Sequence, residues 1–104
     1  MNLQLTGRRF DVSERLRIHV SKESKRLEKF YGPIIDCQVV VGSEKQMRFA
    51  EIIVNVQSHT LTATCQAKSV YRAVDGATDR IKVQLKKLHD KIRDRRGPSG
   101  AAAL

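Results

Sequence analysis

Histidines, cysteines and paired carboxylates are the side chains that could do chemistry in this sequence, and their spacing gives no sign of it. His19, His59 and His89 fall in three separate segments. None has a serine, cysteine or acidic neighbour at a spacing that suggests a catalytic triad or a metal site, so each reads as a surface histidine. Cys37 and Cys65 form no Cys-x-x-Cys pair, no cluster with histidine and no disulfide framework. Both sit in apolar, strand-like runs and read as small buried hydrophobes. Asp75 and Asp79 stand four residues apart. That spacing could in principle hold a magnesium ion on a helix, but amid lysines it reads as local salt bridges. No Gly-x-x-x-x-Gly-Lys phosphate loop occurs. The expectation is a protein without catalysis, metal, cofactor or small-molecule substrate.

The remaining chemistry is charge. Twenty lysines and arginines stand against eleven acidic residues in 104, a net charge of +9. Up to Ala67 there are ten basic and seven acidic residues, and from Lys68 onward ten and four, so the excess is concentrated toward the C-terminal end. Such an excess suits a polyanion, nucleic acid before an anionic membrane. No apolar stretch approaches the roughly 20 residues that span a bilayer. The opening MNLQLTGRRF lacks the apolar core of a signal peptide. A soluble cytoplasmic protein that engages no membrane is expected.

The elements that must carry this charge are legible from periodicity. Asn2 to Thr6 alternates as a short strand ended by Gly7. Ser13, a candidate N-cap, opens a helix to Phe30 along Leu16, Val20, Leu27 and Phe30 or Tyr31, stopped by Gly32-Pro33. Ile35 to Val41 reads as a strand with Ile35, Cys37, Val39 and Val41 on one side. Gly42 to Gln46 reads as a turn. Arg48 to Gln57 and Thr60 to Gln66 complete an antiparallel meander. Ser69 to about Asp94 is a long helix whose stripe is Val70, Val74, Ala77, Ile81, Leu85, Leu88 and Ile92. Gly76 interrupts it, at a cost near 1 kcal/mol against alanine, and suggests that another backbone approaches there. Every strand has one apolar face, so both helices should cover the same side of the sheet. The fold class is α+β, a two-layer β-α-β-β-β-α sandwich over residues 1–96, with a right-handed first crossover. Val40, Phe49 and Ile53 would lie on the uncovered face, and residues 97–104 would form a flexible tail.

On a helical wheel at about 100° per residue, Arg15, Lys22, Arg26 and Lys29 share one arc of the first helix, with Lys25 just beyond it. Glu14, Glu23 and Glu28 lie outside that arc, which leaves the stripe unneutralised on its own face. On the second helix Arg80, Lys87 and Lys91 take one flank of the apolar stripe, and Lys82, Lys86 and Arg93 the other. Asp75 interrupts the second flank. Lysines beside an apolar stripe commonly just solubilise it. Two such helices side by side would instead make a positive ridge or groove able to track a phosphate backbone. With no Trp and five aromatics in all, base stacking is poorly supplied. Backbone and shape recognition of folded, double-helical RNA is the mode that fits.

Several stretches resemble the ribosome hibernation promoting factors, also called ribosome-associated inhibitor A or sigma-54 modulation proteins. They are Gly7-Arg8-Arg9-Phe10-Asp11-Val12-Ser13-Glu14-Arg15-Leu16-Arg17, Lys25-Arg26-Leu27-Glu28-Lys29-Phe30, and Val70-Tyr71-Arg72-Ala73-Val74-Asp75 with its continuation through Asp79-Arg80-Ile81 to Gln84-Leu85-Lys86-Lys87. The resemblance covers about residues 1–95. It implies a fold akin to double-stranded-RNA-binding domains and binding in the decoding channel of the small ribosomal subunit. There the protein would meet ribosomal RNA, block messenger and transfer RNA, and silence translation under stress. Carried over residue by residue, it implies RNA contacts by Lys22, Lys25, Arg26, Lys29, Arg80, Lys82, Lys86, Lys87 and Lys91. Gly97 to Leu104 carries no charged side chain, so the chain resembles the short members, monomeric off the ribosome. A general structured-RNA binder or RNA chaperone, and a transcription-modulating protein partner, are the competing readings.

Overall fold

The structure, a computed structural model, describes residues 1–31 and 33–96, with side chains to residue 91. The elements run β1 (Asn2–Arg8), α1 (Glu14–Tyr31), β2 (Ile34–Glu44), β3 (Met47–Val56), β4 (His59–Ala67) and α2 (Val70–Arg96). One sheet forms in the order β1-β2-β3-β4, with β1 parallel to β2 and the other pairings antiparallel. This is the two-layer arrangement that the alternation of apolar and polar residues predicts. Gly32, the side chains of Ile92 and Arg93, and the segment from Gly97 to Leu104 lie outside the described residues.

Burial follows the strand period of two. Cys37, Val39 and Val41 of β2, and Ala50, Ile52, Val54 and Val56 of β3, are all buried. They meet Leu16, Val20 and Leu27 of α1 and Val74, Ala77, Ile81, Leu85 and Leu88 of α2 in one core. α1 rests on β1 and β2, α2 chiefly on β3 and β4, and the helices touch each other. Among the described residues the opposite face of the sheet stays open. There Val40, Phe49 and Ile53 are half-buried, and the Arg8 guanidinium sits 5.5 Å over the Phe49 ring. Asn55 donates to Asp36 (2.6 Å), Thr60 to Asn55 (2.8 Å) and Gln66 to Glu44 (3.0 Å), a polar ladder across the same face.

Three local readings need correction, and one alternative left open is decided. β1 does not end at Gly7, because pairing with β2 continues through Gly7–Val41 and Arg8–Gly42. The turn expected from Gly42 to Gln46 shrinks to Lys45-Gln46, since Gly42, Ser43 and Glu44 all pair with β3. Ile35, expected inside, is 56% exposed, and Ile34 is buried in its place. The cause is a register shift between Ile34 and Asp36: one extra residue there inverts the alternation for the strand's first residues. Of the two aromatics ending α1, Tyr31 packs against the core and Phe30 is half exposed. Ser24 and Thr78, absent from the expected stripes, are also buried. Each hydroxyl is satisfied within its own helix, Ser24 Oγ by the Ser21 carbonyl (2.9 Å) and Thr78 Oγ1 by the Val74 carbonyl (2.8 Å).

Gly76 also has a different reason from the one expected. A Cβ there would collide with Sγ of Cys65 on β4, so a side chain, not a backbone, fills the space. Cys37 is fully buried and Cys65 half-buried. Burial, with a smaller contribution from Asp36, pushes the Cys37 thiol up to about 11, which keeps it protonated and inert. Helix propensity alone would reward Gly76→Ala by about 1 kcal/mol, and the collision with Cys65 is expected to cancel that gain. In a Cys65→Ala background the same change should stabilise. Urea unfolding of the four proteins should therefore show a coupling of about 1 kcal/mol; additive effects would contradict the contact.

Candidate nucleic-acid interface

Both helices are started by serine. Ser13 Oγ accepts from the Leu16 N–H (3.1 Å) and Ser69 Oγ from the Tyr71 N–H (3.2 Å). These caps satisfy amide groups that a first helical turn leaves without partners. Ser69 thus caps α2 and is not its first turn. Glu14 lies in the first turn of α1 and Lys29 in its last, both favourable to the helix dipole.

Three contacts fix how the helices lie together. His19 Nε2 is 2.7 Å from Asp75 Oδ1, and the His19 ring meets Tyr71 edge-on at 5.3 Å. Farther along, Tyr31 meets His89 edge-on at 6.3 Å. Start lies against start and later turn against later turn, so α1 and α2 run side by side in the same direction. Arg15, Ile18, His19 and Lys22 of α1 line a cleft with Tyr71 of α2. Phe30 and Tyr31 line a second one with Lys86, His89 and Asp90.

This geometry sorts the nine basic residues singled out from the sequence. Lys22, Lys25, Arg26 and Lys29 are exposed along α1. Across from them stand Lys82, half-buried and two helical turns beyond Asp75, and Lys86 beside the end of α1. Arg80, Lys87 and Lys91 occupy the other flank of α2, over the free edge of β4. The Arg80 guanidinium donates to the Thr64 carbonyl, and Gln84 Nε2 donates to the Thr62 carbonyl at 2.8 Å. So the nine divide: Lys22, Arg26 and Lys29 of α1 with Lys82 and Lys86 of α2 flank the meeting of the helices, Lys25 lies farther round α1, and Arg80, Lys87 and Lys91 lie toward the sheet edge. The stripe on α1 is also less bare than the wheel suggests, because Arg26 turns to Glu23 (3.2 Å). Lys86 pairs with Asp90 at 3.3 Å. Among the described residues Lys22, Lys25, Lys29, Lys82, Lys87 and Lys91 make no ion pair.

Reading the sequence missed the cross-helix group of His19, Glu23, Asp75 and Tyr71. The spacing of His19 and Glu23, one turn apart on one face, was the only available signal. Asp75 joins them from 56 residues away, and turns to His19 instead of a local lysine. Gln84 was also missed, because a polar residue beside a stripe carries no mark of the strand edge it will cover.

The sequence model of the sigma 54 modulation protein / S30EA ribosomal protein family matches residues 3–93. The chain belongs to this family. Similar S30EA proteins include the ribosome hibernation promoting factor of Escherichia coli (strain K12), 29% identical over 93 residues, covering 89% of this chain and 98% of that protein. The ribosome hibernation promoting factor of Azotobacter vinelandii is 29% identical over 91 residues, covering 88% and 85%. Among solved structures, a ribosomal subunit interface protein from Coxiella burnetii matches with a TM-score of 0.79 at 23% identity, covering 86% of this chain and 99% of that chain. The N-terminal domain of Thermus thermophilus Protein Y matches at 0.78 and 27% identity, covering 85% and 99%. The S30EA fold is thus the four-stranded sheet with two helices described above.

For this S30EA chain, Arg80 and Gln84 are expected to act first on the fold. Arg80→Ala with Gln84→Ala uncovers two edge carbonyls and should lower stability to urea by about 1–2 kcal/mol. Lys87→Ala with Lys91→Ala should change it by less than about 0.5 kcal/mol. Equal losses would mean that the edge contacts contribute nothing.

Proposed function

We propose that this protein is a ribosome hibernation factor. It binds ribosomal RNA of the small subunit in the decoding channel through its helix layer, excludes messenger and transfer RNA, and silences translation under stress. It binds through residues 1–96, acts in the cytoplasm and is a monomer when free. The observation that carries the proposal is the set of exposed lysines on the helix side that have no ion-pair partner among the described residues, Lys22, Lys25 and Lys29 on α1 and Lys87 and Lys91 on α2. Family membership and the names of the relatives agree with it.

The physical case rests on what such lysines can do. An ammonium already committed to a carboxylate must break that contact before meeting a phosphate, whereas a free one only sheds water and counterions. The parallel helices set the α1 lysines opposite Lys82 and Lys86 of α2, so a sugar–phosphate backbone lying along the groove would meet basic groups on both sides, while Lys87 and Lys91 extend the positive surface toward the β4 edge. With few aromatics available, recognition goes to backbone and shape. The role is one of occupancy, and no residue is assigned to catalysis.

Two charge reversals of equal size test this. Lys22→Glu with Lys29→Glu alters α1, and Lys45→Glu with Lys68→Glu alters exposed positions off the helices. Each changes net charge by the same amount, so a purely long-range field would weaken binding equally. Direct contacts predict a loss of several kcal/mol for the helix pair, each charge-assisted bond being worth about 1.5–3 kcal/mol. Co-sedimentation with small subunits is the readout, with circular dichroism to confirm folding. Equal losses, or a larger loss for the Lys45 and Lys68 pair, would remove the helix face from the mechanism. Retention on unrelated structured RNA as tight as on subunits would favour a general RNA binder.

A further inference from the structure

The groups facing each other between the helices suit a ligand that is not an anion. One ligand-type atom each from His19, Glu23 and Asp75 lies within 4.8 Å of the others. His19 and Asp75 are already 2.7 Å apart. We propose that His19 Nε2 and carboxylate oxygens of Glu23 and Asp75 bind a divalent transition-metal ion of the zinc type, which clamps α1 to α2.

The geometry is close to what the ion requires. Zinc takes nitrogen at about 2.0–2.1 Å and carboxylate oxygen at about 2.0–2.2 Å in a tetrahedral shell, so neighbouring donors stand roughly 3.3 Å apart. His19 Nε2 and Asp75 Oδ1 at 2.7 Å stand closer than that value, and all three donor atoms lie within 4.8 Å of one another, so modest side-chain rotation would bring them to it. Two donors sit one turn apart on α1 and the third comes from α2, so the site exists only when the helices are packed. The ion takes the place of the proton that Nε2 shares with Asp75, and the fourth position is open to water because Asp75 is half exposed.

The surroundings hold the donors in place. Tyr71 meets the His19 ring edge-on at 5.3 Å, which limits its rotation. Arg26 donates to Glu23 Oε2 at 3.2 Å, leaving the other carboxylate oxygen for the ion, a common outer-shell arrangement. One imidazole with two carboxylates suits zinc, cobalt or nickel better than magnesium or calcium, which prefer all-oxygen shells. The ion balances the two negative charges. Arg15 and Lys22, which line the same cleft as His19, and Arg26 on Glu23 oppose it, so affinity on the order of micromolar is expected, below that of a thiolate site. Its effect on RNA binding, through removal of two negative charges from the groove, rests on the reading given above; the ion's binding does not.

The test uses the free, full-length protein stripped of metal by chelation, so its failure and that of the ribosome reading are distinct. Calorimetric titration with zinc chloride should show one equivalent bound and a rise in the unfolding midpoint. Binding should be lost in His19→Ala and Asp75→Asn and kept in His89→Ala and Cys65→Ser. In the unmutated protein, imidazole NMR signals should shift at His19 and not at His59 or His89, a readout that needs no variant to fold. No saturable binding, a site that survives His19→Ala, or a site lost in Cys65→Ser would overturn the proposal.

Discussion

A sheet with a single apolar face leaves both helices one place to go. Cys37, Val39, Val41, Ala50, Ile52, Val54 and Val56 all point to one side, and Thr, Gln and Asn dominate much of the other. Burying a Val, Leu or Ile side chain is worth about 1.5–3 kcal/mol, whereas an exposed ion pair contributes about 0–1 kcal/mol. The apolar layer therefore decides where the helices lie, and the charges follow. Because α1 connects two parallel strands and α2 returns over β3 and β4, the helices end side by side in one direction. Their polar flanks have to share a groove.

That shared groove has mixed chemistry. Its outer slopes carry exposed lysines suited to phosphate. Between them lie His19, Glu23 and Asp75, of which His19 and Asp75 join the helices through a hydrogen bond and all three offer donors to a cation. Lysines that face neither helix, such as Lys45 in the β2–β3 turn, are equally charged but have no second row opposite them. Electrostatic steering counts every charge, whereas binding in a groove depends on which charges stand opposite each other. The separation of Arg80, Lys87 and Lys91 onto the β4 edge belongs to the same distinction. Arg80 is held against a backbone carbonyl, and with Gln84 it covers an edge that would otherwise offer free carbonyls to another strand.

The element order, the strand faces and both helical stripes could be read from the sequence because they depend on local periodicity. Ile34 and Ile35 show where that ends: either can occupy the inward position, and only the bulge against β3 chooses. Gly76 could be recognised as serving a close approach, but not that Cys65 was the group approaching, since the pair lie on different elements. The basic residues of the site were legible as side-chain types and wheel positions. Their partners were not, because Arg26 with Glu23 is a choice of rotamer and His19 with Asp75 is a choice of packing. The wheel could put Arg80, Lys87 and Lys91 on one flank of α2 and Lys82 and Lys86 on the other, but not say which flank would meet α1 and which the edge of β4.

The central claim is that lysines of the helix layer touch ribosomal RNA directly. Lysine acylation with an amine-reactive ester, mapped by mass spectrometry on free and subunit-bound protein, tests it residue by residue without any substitution. Lys22, Lys25, Lys29 and Lys82 should lose reactivity strongly on the subunit, while Lys45 keeps the reactivity it has in the free protein. Protection of Lys45 with the helix lysines still reactive would place the RNA on another face and contradict the claim.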